Sequence, residues 1–373
     1  MHRPELLLTF DSMRHANTGL HTFGHCLGRE IVRQAGPHFN VSAYTYPAQQ
    51  GFLGTEIGYV THRYLHRFHF RPRRQFDLVH FTDQYCRFGP GRTAGKTILT
   101  VHDMNQVYER ARGSAAIKRY LRRMAARVDG ADRIVAISNF VAADIVRHFP
   151  SALGKVSVIY NGSDFTRAPL GHRPAYEPAG DFLFAVGMVC PKKNFHVLAP
   201  LLRDNHYQLI IAGIVKEEYR NKILAEAGLH GVLDRVVITG PVSEDDKDWY
   251  YANCDAFLFP SLAEGFGLPV IEAMSHAKPV FLSTLTSLPE VGGAAAYYFT
   301  DFDAESMRRV FAAGMANFAA NEGAAKAVKH SAQFTWEKSA ARSCCPSRPK
   351  TWCRPRLTSC CQTSATAPWA TST

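Results

Sequence analysis

The chain has 373 residues, 46% of them hydrophobic, and a formal net charge of +11. That length suits two domains of ordinary size, and the composition is that of a globular protein. No apolar run approaches the ~18 to 20 residues a helix needs to cross a bilayer, which excludes a membrane-spanning helix.

The opening stretch MHRPELLLTFDS has too short an apolar core for a signal peptide and carries Asp11 directly after it, so a cytoplasmic protein is expected. The positive excess lies in residues 1–165 and in the stretch after 335, while 166–335 is mildly acidic, so the two halves are expected to face different partners. Cys26, Cys86, Cys190 and Cys254 have no paired spacing and read as buried, inert thiols of a reducing compartment.

In chain order, Leu6 to Phe10 reads as a first strand, Asn17-Thr18-Gly19 as a turn, and Leu20 to Gln34 as a helix. Gly19 stands where a first strand-to-helix turn lets a ligand approach the backbone. Residues 54–75 mix His62, Arg63, His66, Arg67, His69, Arg71, Arg73 and Arg74 with Tyr64, Leu65, Phe68 and Phe70. Such a mixture fits a solvated face, an anionic membrane or lipid-acceptor surface, or nucleic acid, and no recognised module supports the last. Arg110 to Arg133 is a second basic stretch with the same three readings. Phe76 to Phe81 and Thr97 to Asp103 read as buried strands; the second ends in T-V-H-D-M and places His102 at the ligand side of an α/β sheet. Arg133 to Ser138, a helix from Asn139, and Val156 to Asn161 continue the alternation.

Gly162 to Gly180, with Pro169, Pro174 and Pro178, has the composition of an interdomain linker. Phe182 to Gly187 opens a second run of strands and leads into M-V-C-P-K-K-N-F, where Lys192 and Lys193 sit at a strand-to-helix turn and can neutralise a diphosphate. Strands follow at Gln208 to Gly213 and Val236 to Gly240, with a helix over Ser243 to Asn253. Residues 256–293 then read AFLFPSLAEGFGLPVIEAMSHAKPVFLSTLTSLPEVGG: a buried strand, a glycine-bearing turn, a helix from Leu268 to Ala277, and a strand from Pro279 to Ser283. Gly265, Gly267 and Pro269 shape a helix start whose main-chain amides attract a phosphate. Val270, Ile271 and Met274 form the stripe that packs on the sheet, so Glu272 is expected to point at an open cleft, where a carboxylate accepts bonds from a diol. A solvated helix-start glutamate is the plain alternative for an isolated acid.

The string P-S-L-A-E-G-F-G-L-P-V-I-E-A-M, followed by K-P-V and S-L-P-E, resembles the donor-site signature of the retaining, nucleotide-sugar-dependent glycosyltransferases of family 4, the E-x7-E enzymes. The resemblance implies an α/β protein of GT-B fold, two facing Rossmann-like β/α/β domains with a cleft between them. An acceptor-side domain would occupy residues 1–165, a nucleotide-sugar-binding domain 166–340, and an atypical disordered tail 341–373. By the same resemblance Glu264 lies at the transferred sugar, the amides of Phe266, Gly267 and Leu268 at sugar and diphosphate, and Glu272 at the ribose. His102 is implied as a donor ligand, Gly19 as a glycine near donor phosphate or acceptor, Lys192 and Lys193 as the basic loop, and Glu290 as a loop brace. Many members carry arginine where Met188 stands, which removes one phosphate contact. The implied reaction moves a hexose, mannose as first guess, from a nucleotide sugar to a glycan or lipid-linked acceptor in cell-surface polysaccharide or lipopolysaccharide synthesis. Neither a metal nor a cofactor beyond the donor is expected, contact with an anionic membrane is, and nucleic acid is not. A sugar-nucleotide epimerase of the same fold and a basic membrane-associated binding protein are the rival readings. Phe334 to Ala340 resembles the start of the family's closing helix, and the Cys-, Ser- and Pro-rich stretch from Arg342 reads as disordered, either a reading-frame artefact or a replacement of the usual terminus.

Overall fold

The computed structural model describes residues 3–14, 18–108, 113–163 and 167–343. Short apolar runs become parallel strands because both of their faces are covered. In the first half these are β1 (Glu5–Thr9), β2 (Asn40–Thr45), β3 (Gly58–Thr61), β4 (Leu78–Phe81), β5 (Lys96–Val101), β6 (Arg133–Ala136) and β7 (Val156–Val158). In the second they are β8 (Phe182–Val186), β9 (Gln208–Ala212), β10 (Val236–Gly240), β11 (Ala256–Phe259), β12 (Val280–Ser283) and β13 (Tyr297–Phe299). The order is β3-β2-β1-β4-β5-β6-β7 in one sheet and β10-β9-β8-β11-β12-β13 in the other. Every pairing is parallel, for example Leu6 with Val41 on one side and with Leu78 on the other. The direction of winding reverses between β1 and β4 and between β8 and β11, and such switch points are where doubly wound sheets bind ligands.

Ten α-helices accompany these sheets among the described residues: α1 (Gly19–Ala35), α2 (Ser114–Gly130), α3 (Asn139–His148), α4 (Glu217–Leu229), α5 (Glu244–Asn253), α6 (Leu268–Ser275), α7 (Leu288–Gly292), α8 (Ala304–Ala320), α9 (Gly323–Ser331) and α10 (Trp336–Ser343). Strand β8 shows how both faces are filled. Phe182 and Phe184 join the core shared with β11 and α6, while Leu183 and Ala185 join a second core with Leu209, Ile211 and Leu258. Side-chain caps fix several helix starts: Thr18, Ser138, Ser243 and Asp303 each accept a first-turn N–H.

Several expectations shift. Helix α6 stops at Ser275 rather than Ala277, because Ala277 turns left-handed with φ 58°. The segment after Lys193 is a 3-10 helix, Phe195–Leu202, entered through left-handed Asn194 and carrying Pro200, which has no N–H for an α ladder. Residues 341–343, expected in the tail, belong to α10; the rest of the tail, with its five cysteines, lies outside the described residues, as do Asn17, Arg110 and Arg112. The proline-rich segment after Gly162 is tied down where it is described: Ala168 N–H donates to Asp248 (2.8 Å) and His172 bonds Asp246 (2.7 Å). Helix α10 returns to the first half, where Trp336 packs edge-on against Phe23 and Gln34 donates to the Glu337 carbonyl.

The two basic stretches differ. On α2 the apolar stripe Tyr120, Met124 and Val128 is buried and Lys118, Arg119, Arg122 and Arg123 are exposed, with no large apolar side chain exposed beside them. In the 62–74 stretch Phe70 is buried in a stack with Phe88, but Tyr64, Leu65 and Phe68 are each more than 60% exposed beside Arg63 and Arg67. Of the four body cysteines, Cys86, Cys190 and Cys254 are buried and Cys26 is half-buried; burial pushes the Cys254 thiol up to about 12.

Candidate functional site

The site is built on the bend between β11 and α6, at the switch point of the second sheet. Two positions in it accept only glycine. A Cβ on Gly265 would lie 1.9 Å from the His102 carbonyl oxygen, so the bend touches the first half of the molecule backbone to backbone. Gly267 has φ 108° and is the N-cap of α6, with no side chain to satisfy the first-turn amides. Hydroxyls hold the bend: Ser287 donates to the carbonyls of Glu264 and Phe266 (3.0 Å each), Ser138 to that of Gly265 (2.7 Å), and Thr286 accepts from Glu264 N–H (2.9 Å).

Charge converges on this helix start. Lys193 Nζ donates to Glu264 Oε1 at 2.7 Å and lies 4.3 Å from the centre of the Phe259 ring. Burial alone would raise the Glu264 carboxyl, but the positive charges of Lys193 and Lys192 outweigh it and hold the group below its ordinary value. Lys193 rises from a tight turn in which a Cβ on Gly187 would meet its Cε at 2.8 Å. One helical turn on, Glu272 is 5% exposed and accepts a 2.6 Å bond from the Tyr251 hydroxyl. Lys247 Nζ, from α5, lies 3.9 Å from Glu272 and 2.6 Å from Glu244. Burial pushes the Glu272 carboxyl up, and Lys247 and Tyr251 offset only part of that. Glu272 therefore faces the cleft as expected, but as a buried, hydrogen-bonded group rather than a solvated one.

A cavity of about 470 Å³ joins these groups to the first half. Glu264, Phe266, Gly267, Leu268 and Glu272 line it together with Lys192 and Lys193, and Gly19 and His102 line the facing wall. The structure thus brings all nine expected residues to one space. His102 Nε2 is 2.8 Å from the Thr82 carbonyl, which can only accept, so that nitrogen carries the proton. Burial lowers the pKa of the ring, so it is neutral and its Nδ1 is left as an acceptor. Met188, where many family members have arginine, lines the same cavity and is 43% exposed.

Three contributors were not anticipated. Lys247 belongs to the helix expected over Ser243 to Asn253, to which no site residue was assigned. Asn161, expected only at the end of a strand, lines the cavity with its Oδ1 buried and without a hydrogen-bond partner among the described residues. Ser138 reaches the bend from 127 positions away. Glu290 is the brace expected of it: its carboxylate accepts from Asn139 N–H (2.7 Å), Asn139 Nδ2 (2.6 Å) and Phe140 N–H (3.2 Å), and so caps α3 across the two halves. Among the described residues no three His, Cys, Asp or Glu side chains gather as metal ligands, and no helix is long and apolar enough to cross a membrane.

Two family models tile most of the chain. The one described as glycosyl transferases group 1 matches residues 176–329, and the one described as glycosyltransferase family 4 matches residues 33–167. The chain belongs to glycosyltransferase family 4. Within that family it is similar to the serotype-specific mannosyltransferase WbdA of Escherichia coli, 29% identical over 259 residues, 65% of this chain and 32% of WbdA. It is also similar to the O-antigen chain mannosyltransferase B of Escherichia coli, 27% identical over 286 residues, 71% of this chain and 74% of that protein. The match to WbdA thus spans about a third of that protein's length. Among solved structures, Anabaena HepE in complex with UDP-glucose superposes with a TM-score of 0.67 at 14% identity, over 91% of this chain and 98% of that one. The two parallel sheets and their facing switch-point cleft are the GT-B architecture of family 4 glycosyltransferases.

Proposed function

We propose that this family 4 chain transfers a hexose, with retention at the anomeric carbon, from a nucleoside diphosphate sugar to a glycan or lipid-linked acceptor of bacterial surface-polysaccharide or lipopolysaccharide synthesis. One observation carries the reading: a helix start with two lysines beside it and a buried carboxylate one turn on, Glu272, line the same 470 Å³ cavity. That spacing matches a diphosphate at the helix start and a ribose diol at Glu272. Mannosyl transfer is favoured by the names of the two Escherichia coli relatives, and a nucleotide donor by the UDP-glucose held by HepE.

As the bond from the anomeric carbon to the diphosphate breaks, its electron pair goes to the leaving oxygen. Lys192, Lys193 and the positive end of α6 meet that growing charge, with no need of a metal ion. Glu264, kept ionised by Lys193, and His102, an acceptor at Nδ1, orient the sugar hydroxyls. The acceptor's hydroxyl enters from the first-half wall, its oxygen bonds to the anomeric carbon on the face the diphosphate leaves and its proton passes to the leaving oxygen; the exposed Tyr64, Leu65 and Phe68 among arginines favour docking on an anionic membrane that carries lipid-linked acceptors. Domain limits near 165 and 340 fit this division of labour.

The test is turnover of a panel of nucleotide sugars with a lipid-linked acceptor, with and without chelator, with the anomeric configuration of the product read by NMR. A product of retained configuration, formed equally with chelator, is expected. Epimerised or hydrolysed sugar without transfer would overturn the reading.

A further inference from the structure

One nearly buried acid has no part in the transfer step. Asp11 follows β1 at the switch point of the first sheet, and its side chain is 8% exposed, yet it does not line the 470 Å³ cavity. The Arg87 N–H reaches its Oδ2 at 3.3 Å, and the Cys86 thiol donates to the same carboxyl. His62, just past β3, stands opposite with Nε2 3.6 Å from Asp11 Oδ1, too far for a hydrogen bond. Arg87 Nε–H donates to that same nitrogen at 3.1 Å, so Nε2 presents a lone pair and the neutral ring bears its proton on Nδ1. Burial and the Arg87 charge hold the ring's pKa down.

An ionised Asp11 therefore faces a lone pair, and the charge of Asp83 adds to the repulsion. A proton on Asp11 removes the conflict. Burial and Asp83 raise this carboxyl to about 6, against the pull of Cys86 and Arg87. Two further groups face the cluster. From β2, the Tyr44 hydroxyl is kept protonated by burial and bonds His66 Nδ1 at 3.0 Å; from Asp11's own turn, Arg14 lies over the Tyr46 ring.

The cluster holds the arch of residues 62–68. The His62 ring stacks on Tyr46 where the arch begins, with ring centres 4.1 Å apart, and the Arg87 guanidinium lies 5.2 Å from the centre of the Tyr64 ring, beside the exposed Leu65 and Phe68. Arg87 is thus a strut between His62 and Tyr64. When Asp11 loses its proton, either His62 moves its own to Nε2 and donates to the carboxylate, or Arg87 turns to the carboxylate itself. Both responses take Arg87 off His62.

We propose that the proton on Asp11 is a latch for this arch: while it is in place Arg87 braces Tyr64, Leu65 and Phe68 in one arrangement, and its loss frees them. The docking face is then set by proton activity at the membrane, where the negative surface of an anionic bilayer attracts cations, protons among them. As a control of docking this rests on the membrane reading of that face; as a latch it does not.

The test is limited trypsin cleavage of the full chain after Arg63 and Arg67, mapped by mass spectrometry from about pH 5 to about pH 8. It compares the parent with Asp11→Asn, whose neutral amide stands in for the protonated acid, and the ratio of the two cancels the protease's own response to pH. With the carboxyl at about 6, the unlatched fraction of the parent rises from about a tenth at pH 5 to about nine tenths at pH 7, so the ratio should rise up to about tenfold over that range. Arg87→Gln, which lacks the strut, should be cut fast throughout and show no such rise. A flat parental ratio, an equal rise at sites outside the arch, or an Arg87→Gln protein that still follows pH overturns the latch. In the second arm, co-sedimentation with phosphatidylglycerol vesicles should fall over the same range by about threefold more in the parent than in Asp11→Asn. Parental protein whose arch follows pH but which ignores these vesicles overturns the docking role and leaves the latch standing.

Discussion

Replacing Lys193 with Met removes the cation that keeps Glu264 ionised beneath the bend, and the loss should carry a pH signature. Ammonium and carboxylate are 2.7 Å apart and each side chain is 12% exposed, so water screens the pair weakly. Breaking such a pair from one side costs about 3–5 kcal/mol when the remaining charge stays buried. In the parent protein burial raises the Glu264 carboxyl, Lys193 and Lys192 lower it by more, and the net value lies below the ordinary 4.5. The pair therefore stabilises the fold above that value, and its contribution is lost as pH falls through the depressed one. In Lys193→Met burial meets less opposition, the carboxyl rises, and ionisation opposes folding as pH increases. Urea melts followed by circular dichroism should give stabilities that converge as pH falls through that depressed value and a gap of roughly 3–5 kcal/mol at neutral pH. Lys193→Met/Glu264→Gln should recover most of the stability while transfer remains lost. A gap that does not change with pH would refute the electrostatic account, and transfer by the double variant would refute the role of Lys193 at the diphosphate.

Glu272→Ala should weaken donor binding by on the order of 10- to 100-fold, as expected for hydrogen bonds to a charged group, and cost about 1–3 kcal/mol of stability because the buried Tyr251 hydroxyl loses its acceptor; full transfer activity would count against the ribose assignment. Gly265→Ala forces a Cβ to 1.9 Å from the His102 carbonyl, so melts should show a loss of about 1–3 kcal/mol together with lost turnover, and parental behaviour would contradict the contact. Burial, with Asp83 nearby, pushes Asp11 up from 3.8 to about 6, so the folded state holds a proton that the unfolded state releases. Stability should accordingly fall as pH rises from about 4 to 6, by at most roughly 3 kcal/mol, and Asp11→Asn should flatten that slope; an unchanged slope in melts at stepped pH speaks against it. Leu65→Glu/Phe68→Glu should abolish co-sedimentation with anionic vesicles while a soluble acceptor analogue is still glycosylated, and parental protein that ignores vesicle charge would remove the membrane face.

The central strands and the bend were legible because their signal is local. Phe182–Val186 and Ala256–Phe259 are continuous apolar runs, and Gly265, Gly267 and Pro269 mark a turn and helix start within five residues. Strands β2, β3 and β13 escaped notice. N-V-S-A-Y-T mixes polar and apolar residues, G-Y-V-T and Y-Y-F are short, and β3 and β13 are edge strands covered on fewer sides. At the site the E-x7-E spacing pointed to Glu264 and Glu272, but the burial of Glu272 depends on Tyr251 and Lys247, which reach it only once α5 packs beside α6. Ser138 and Asn161 entered for the same reason: they come from the other half, and nothing adjacent to them in the chain announces the partner.

The return of α10 means that the chain passes between the halves twice, and the two passages touch. Ser163 N–H donates to the Phe334 carbonyl at 3.1 Å, and a Cβ on Gly162 would lie 2.1 Å from the Trp336 nitrogen. Twin strands pinned side by side behave as a door on two pins: the panels can swing about one line but resist sliding or twisting past each other. A wedge placed at that spine, such as Gly162→Val, should therefore prise the jaws out of register.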